Sequence, residues 1–289
     1  MLKKFSFVIY KIILIFDKIL FFFTKKTFII FLKDFFQENS YKSIKISNEE
    51  LTFFVPNRLI DWRVDTFFDK EPETLEWIDS FKKDQNIIFW DIGANIGLYS
   101  LYNAIKNKNS KTISFEPSSS NLRTLSRNIS LNNLQNKIQI FPMPLSNIEN
   151  KFMMMKEGRF IEGGAINTFG EDYNFEGKKF QSNMNYQTIG TSINFLIDSK
   201  ILETPDYIKI DVDGIEHLIL EGGDRYLIDN KIKSILIEIN ENFKDQYDYI
   251  LNFMKKNNFK LLGKKQNKEF LNYSEKNPFK NIFNYIFVR

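Results

Sequence analysis

WDIGANIGLYS, residues 90–100, holds a strand, a tight turn and the start of a helix in eleven residues. The apolar run IIFWDI (87–92) ends in Asp91, and a helical pattern begins near residue 96. Between them lies Gly93-Ala94-Asn95-Ile96-Gly97. Its two glycines let the backbone turn sharply and approach a ligand with no Cβ in the way. The spacing is G-x-x-x-G rather than G-x-G-x-x-G, which disfavours a dinucleotide pyrophosphate cradle, and no Gly-Lys-Ser/Thr of a phosphate loop follows. An acid aimed at such a turn suits a cationic part of a ligand better than a phosphate.

One strand later, TISFE (112–116) places Glu116 about 20 residues on, where a carboxylate can accept both hydroxyls of a ribose. An acid-glycine turn with a ribose acid fits a nucleoside whose other end is a cationic amino acid, which is S-adenosylmethionine. The plainer alternative is a structural turn with an exposed Glu116. Strands are expected over 87–92, 112–116, 137–141, 152–155, 207–212, 234–239, 259–263 and 284–289. Helices are expected over 73–83, 96–106, 119–132, 214–227 and 243–257. Strands separated by helices of 10–15 residues imply right-handed crossovers: an α/β fold with a doubly wound, mostly parallel sheet. Residues 41–70 read as short strands and turns, and 156–187 as the longest irregular stretch. Chemistry belongs at the carboxyl ends of the strands.

YIKIDVDGIEH (207–217) delivers Asp211, Asp213 and Glu216 around one such end, and the next strand ends in Glu238-Ile239-Asn240. Ile215, Leu218, Ile219 and Gly222 share the helix face expected to pack on the sheet, with Glu216, His217 and Leu220 turned away from it. A methyl acceptor that carries a proton must lose it as it attacks, and a positioned acid or imidazole can take it. Asp211, Asp213, His217 and Glu238 are the catalytic candidates. Mg²⁺ on Asp213, Glu238 and Asn240 is a less favoured arrangement. Short acids often cap helices, and a solvent-facing histidine looks the same in sequence, so structural roles for Asp211 and His217 stay open.

These segments resemble the FkbM-type branch of class I S-adenosylmethionine-dependent methyltransferases, over roughly residues 65–289. The resemblance rests on KEPETLEWID (70–79), DIGANIGLYS (91–100), FEPSSSNLRTLSRN (115–128), PLSN (144–147), YIKIDVDGIEHLILEGG (207–223) and ILIEIN (235–240). It implies a Rossmann-like seven-stranded sheet of order 3-2-1-4-5-7-6 with the last strand antiparallel. It also implies cofactor contacts at Asp91, Gly93, Asn95, Gly97 and Glu116, with Leu145 and Ser146 near the adenine. The acceptors it implies are hydroxyls of saccharides, glycolipids or secondary metabolites. Asn194 departs from it, since the family usually has an acid there.

The chain has 289 residues, 43% hydrophobic and 26% charged, which excludes global disorder. It has no cysteine and one histidine, so a disulfide framework, a thiolate metal site and HExxH zinc chemistry are excluded. Residues 1–33 hold seven lysines against one acid, Asp17, a net +6 within an overall +4. The body is therefore slightly acidic, a poor nucleic-acid surface. Lys4, Lys11, Lys18 and Lys25 recur every seven residues and drift only about 20° per step on a helix. Uncharged runs there reach six residues, too short to span a bilayer, and no cleavage site of a signal peptide follows. Two readings of residues 1–35 stay open: a helix lying in a membrane interface, which would place the enzyme at the cytoplasmic face, or a helix packing on the body or on a second subunit as a homodimer. The expected organisation is this helix, an extension over 36–85 as a lid over the substrate, and a methyltransferase domain over 86–289. The lead function is an O-methyltransferase on a small-molecule or glycan acceptor. An RNA or protein methyltransferase and a non-catalytic membrane-attached binding module are the alternatives.

Overall fold

The computed structural model describes residues 1–83, 85–266, 270, 273–274 and 276–289. The chain divides into two compact units, Met1–Lys42 and Ser43–Arg289. In the first, the stretch expected as one helix runs as two, α1 (Leu2–Thr24) and α2 (Ile29–Glu38). The break falls where Lys25 turns left-handed (φ 56°) and its N–H still bonds the Phe21 carbonyl.

The larger unit carries a seven-stranded sheet. Its strands are β3 (Ile87–Ile92), β4 (Ser110–Phe115), β5 (Ile138–Phe141), β9 (Tyr207–Ile210), β10 (Ser234–Asn240), β11 (Lys260–Lys265) and β12 (Ile282–Val288). The order β5-β4-β3-β9-β10-β12-β11 is the expected 3-2-1-4-5-7-6, with β12 antiparallel to both neighbours. Helices α5 (Leu98–Lys106), α6 (Ser119–Leu131), α8 (Glu216–Glu221) and α9 (Lys244–Lys256) supply crossovers between strands. The central strands β3 and β9 are apolar almost throughout because helices cover both faces.

Period-two alternation sorts their side chains. Phe89, Tyr207 and Leu236 enter one core, and Trp90, Ile208 and Ile237 the other. Of the stretch expected over 36–85 as an extension, residues between Ile46 and Phe81 join the first core. A hairpin of β1 (Tyr41–Ile46) and β2 (Glu49–Phe54), the helix α3 (Arg58–Asp65) and the helix α4 (Pro72–Asp79) contribute Leu51, Phe53, Ile60, Val64, Trp77 and Ile78 to it. Trp77 Nε1 donates to Ser234 Oγ at 2.8 Å, tying α4 to β10.

Two elements differ from the sequence expectation. Residues 58–65, read as strand and turn, are helical because the Asn57 side chain accepts from the N–H groups of Leu59 and Ile60 at 2.9 and 3.0 Å. The stretch 156–187 is not irregular throughout. It contains β7 (Asn167–Phe169) and most of β8 (Met184–Gly190), which flank β6 (Lys151–Glu157) in a separate antiparallel sheet. Asn194, on α7 (Ile193–Asp198), donates to Asp224 Oδ1 at 2.8 Å and serves the fold.

Candidate active site

The turn after β3 is locked by backbone. The N–H groups of Gly93 and Ala94 both donate to the Phe115 carbonyl at 3.0 Å, and Asp211 N donates to Ile92 O at 3.0 Å. Gly93 has φ +86°, and a Cβ there would stand 1.8 Å from the Asp211 carbonyl oxygen. Only glycine fits. Gly97, at φ +88°, opens α5, and a Cβ there would meet the Leu125 side chain at 2.5 Å.

Two cavities adjoin at this turn. The narrower is walled by Gly93, Asn95, Glu116, Leu145, Met155 and Phe169, among others. The larger, about 430 Å³, takes walls from Trp62, Arg63, Lys70, Tyr99, Phe175 and Glu238, among others. Asp211 and Asp213 line both. His217 lines neither. It is half-buried, with Nε2 3.4 Å from the Tyr173 hydroxyl and Nδ1 3.3 Å from Gln246 Nε2. Ser146 is buried beside the narrow cavity without lining it, its N–H bonded to the Thr191 carbonyl.

Glu116 is buried between two turns. Its Oε2 accepts from Asn95 N and its Oε1 from Ser118 N, both at 2.8 Å. Burial outweighs these bonds and raises its pKa to about 8. Asn95 Nδ2 donates to Gly164 O at 2.8 Å, while its buried Oδ1 has no partner among the described residues. Asn121, which the sequence reading passed over, donates to the same carbonyl at 3.1 Å and accepts from Gly163 N at 2.9 Å. The loop before β7 is thereby pinned over the glycine turn.

Alternation along the strands gathers a second polar cluster on the face shared by Phe89 and Leu236. Asp91 pairs in register with Lys209 on one side and Ser114 on the other. Asp91 is fully buried. Its Oδ2 accepts from Ser100 Oγ at 2.5 Å, and Oδ1 has no partner among the described residues. Burial raises its pKa against the pull of Lys209. Lys209, also missed in the sequence, is 1% exposed and meets Asp211 Oδ2 at 2.6 Å. Burial favours its neutral form, but Asp211, Asp91 and Glu71 outweigh that and hold its pKa above the ordinary lysine value. Glu71 accepts from Lys70 at 2.6 Å and from the Tyr99 hydroxyl at 2.7 Å. Burial raises its pKa, and the two lysines more than reverse that. The signal for Lys209 was present: a charge in the middle of the apolar run YIKI.

Asp213 has a left-handed backbone (φ 64°), and its Oδ2 accepts from Ile166 N at 2.7 Å, a β-branched residue also at φ 64°. Strain of this kind persists where surrounding structure enforces it, often at functional sites. Burial and Asp211 raise the Asp213 pKa to about 6. Burial, Asp211 and Glu71 hold Glu238 well above the carboxylate range. Glu216 does not turn outward as expected. It is 2% exposed, caps the turn through Val212 N and Gly214 N, and receives Gln246 Nε2 at 2.7 Å. Asn240 is held in the fold, donating to Phe175 O and accepting from Asn242 N. Among the described residues no group of three or more histidine, cysteine or acidic side chains is placed to hold a metal.

The residues lining the narrow cavity have the chemistry that S-adenosylmethionine, the methyl donor implied by a fold of this class, calls for. Glu116 retains free lone pairs for ribose hydroxyls, and Asn95 offers an orphaned acceptor. Asp211 and Asp213 also line this cavity.

Residues 91–261 match the family described as the methyltransferase FkbM domain. Methyltransferase sdnD of Sordaria araneosa is 27% identical over 177 residues, which cover 55% of this chain and 68% of that protein. Among solved structures, methyltransferase FkbM from Methylobacillus flagellatus aligns with a TM-score of 0.45 at 16% identity, covering 69% of this chain and 43% of that one. This chain thus spans less than half the length of the Methylobacillus protein. The precorrin-6y C5,15-methyltransferase of Geobacter metallireducens aligns at 0.43 and 14% identity, over 76% and 86% of the two chains. The matched segment runs from the acid before the glycine turn into β11, and on it the chain belongs to the FkbM methyltransferases.

Proposed function

We propose that the protein is an S-adenosylmethionine-dependent O-methyltransferase whose acceptor is a polyhydroxylated small molecule or glycan unit. The observation that carries the reading is the position of Asp211 and Asp213, the two carboxylates common to the cofactor cavity and the larger one. When bound, the cofactor supplies a methyl group activated by a sulfonium. The chain must then orient an acceptor oxygen and take its proton. Asp213, with a pKa of about 6, is ionised at neutral pH yet more basic than an ordinary carboxylate, as a general base should be. Glu238, whose pKa burial, Asp211 and Glu71 raise, stands on the wall of the larger cavity to meet a neighbouring hydroxyl, while Lys209 holds Asp211 in place.

The larger cavity suits such an acceptor in size and lining. About 430 Å³ falls within the range of small-ligand sites. Trp62, Phe175, Tyr273 and Phe279 offer flat apolar surfaces, while Arg63, Lys70 and Glu238 provide polar anchors among them. Tritium-labelled S-adenosylmethionine incubated with cell extract tests the reading. Label should appear in material that resists mild alkali, ribonuclease and protease, as a methyl ether does, and Asp213→Asn should abolish it. Label released by ribonuclease or protease would replace the acceptor class. Failure of the folded protein to bind S-adenosylhomocysteine in a calorimeter would remove the whole reading.

A further inference from the structure

None of the residues of α1 is buried, although the helix is rich in phenylalanine and isoleucine. At about 100° per residue, Phe5, Val8, Ile12, Phe16, Ile19 and Phe23 fall in one sector. Their exposure runs from 53% for Ile19 to 77% for Phe23. Lys4, Lys11, Lys18 and Lys25 form a separate stripe. In α2, Phe31, Phe35 and Phe36 are exposed as well. An apolar face of this extent with no cover marks an interaction surface.

The fate of Asp17, the one acid in residues 1–33, narrows the choice of partner. Both of its carboxylate oxygens accept from the Thr27 hydroxyl at 2.8 Å, and Oδ1 accepts from Phe28 N at 2.8 Å and Ile29 N at 3.3 Å. It caps the start of α2 across the turn, and the Phe16 and Phe28 rings meet edge-on at 5.6 Å. Asp17 is thereby spent on fixing the bend between α1 and α2. Over residues 1–42 eight lysines stand against Asp17, Asp34 and Glu38, a net +5 that defines the field of the surface. A second copy of this unit would bring lysine stripes of the same sign together, which opposes pairing. A bilayer offers apolar depth to the phenylalanines and negative headgroups to the lysines. No helix among the described residues is long and apolar enough to cross a membrane.

We infer that residues 1–42 dock the enzyme on an anionic lipid surface, with the apolar sector of α1 entering the interface and the lysine stripe engaging headgroups. The inference does not depend on the identity of the methyl acceptor. It is tested with the full-length protein and sedimentation on two kinds of vesicle, phosphatidylcholine alone and phosphatidylcholine mixed with phosphatidylserine. The protein should pellet with the mixed vesicles and be released by salt. Lys4→Gln, Lys11→Gln, Lys18→Gln and Lys25→Gln together should weaken binding by roughly fivefold per lysine. Ile12→Asp with Phe16→Asp should abolish it. Both variants change exposed positions and should keep the circular dichroism of the parent. Three results would overturn the inference: a folded protein that stays in the supernatant with phosphatidylserine vesicles, pelleting on pure phosphatidylcholine that the lysine variant does not alter, or a dimer in lipid-free solution that Ile12→Asp with Phe16→Asp dissociates.

Discussion

The two cavities that meet at Asp211 and Asp213 are built in opposite ways. The narrow one is made largely of backbone turns that follow consecutive strands. Gly93 and Ala94 hook onto the end of β4, Glu116 N bonds the Phe141 carbonyl at the end of β5, and Glu116 itself is fixed by two N–H groups. The larger one takes its walls from side chains far apart in sequence: Arg63 on α3, Lys70 before α4, Phe175 after β7, Glu238 on β10 and Phe279 before β12. A ligand common to a whole class can be held by local turns. A ligand particular to one enzyme is held by whatever distant segments bring, and those can change without disturbing the turns. The cofactor side should therefore respond to backbone changes and the acceptor side to side-chain chemistry.

Gly93→Ala is the most severe test of that contrast. Its Cβ would overlap the Asp211 carbonyl oxygen in a backbone conformation that disfavours alanine. A loss of about 3–5 kcal/mol in unfolding stability is expected, with no measurable S-adenosylhomocysteine binding in the fraction that folds. A Gly93→Ala protein that melts and binds like the parent would show that the turn is not rigid.

Lys209→Met follows. It leaves Asp91, Asp211 and Glu71 gathered without the cation that offsets them, and removing one partner of a buried pair costs about 3–5 kcal/mol. The pH dependence has a definite sign. In the variant, folding would raise the carboxyl pKa values above those of the unfolded chain, so stability would be lost as pH rises through the unfolded carboxylate range. The parent, whose Glu71 is held below that range, does not lose stability there through that residue. Denaturant unfolding at acidic and neutral pH should therefore show the two proteins closer in stability at the acidic end.

How much of this was legible in the sequence follows the same division. The order of the sheet came from the family resemblance, whereas the glycine turn was readable because it is written in a short continuous segment, an apolar run, two glycines and a helix. Asp211 and Asp213 were readable for the same reason. Helix α3 was not, because its eight residues carry only Ile60 and Val64 as buried positions and its start depends on the Asn57 side chain. The strands within 156–187 were hidden because MNYQTIG exposes or half-exposes most of its residues on a small sheet with little core of its own. Glu216 was placed outward by helical periodicity, but α8 is only six residues long, and the carboxylate folds back onto the turn that precedes it.

On the cofactor side, Glu116 gives a smaller and graded effect. In the free protein its pKa is about 8, so at neutral pH it is mostly protonated. Ribose hydroxyls donate best to the ionised form, and binding should release a proton. Affinity for S-adenosylhomocysteine should rise with pH up to about 8 and level off above it. Calorimetry in buffers of different ionisation enthalpy would count the proton. Affinity independent of pH would mean that Glu116 serves only the two backbone N–H groups.

His217 should give the smallest effect, and it is the most informative comparison with Asp213. Burial lowers its pKa below the ordinary imidazole value, while Asp213 is raised to about 6. The two shifts run towards each other, and an inflection of turnover with pH does not by itself assign the base. Substitution does. His217 lines neither cavity and stands among Tyr173, Phe243 and Gln246, where its ring packs edge-on to Phe243 at 5.9 Å. His217→Ala should cost about 1 kcal/mol of stability through lost packing and leave turnover and its pH profile in place. Asp213→Asn should retain S-adenosylhomocysteine binding, lower turnover by about 10²–10⁴-fold and remove the inflection. If His217→Ala abolished the inflection and Asp213→Asn kept it, the proton would be leaving through the imidazole, and the helix start carrying His217 would have to move towards the cavity during turnover.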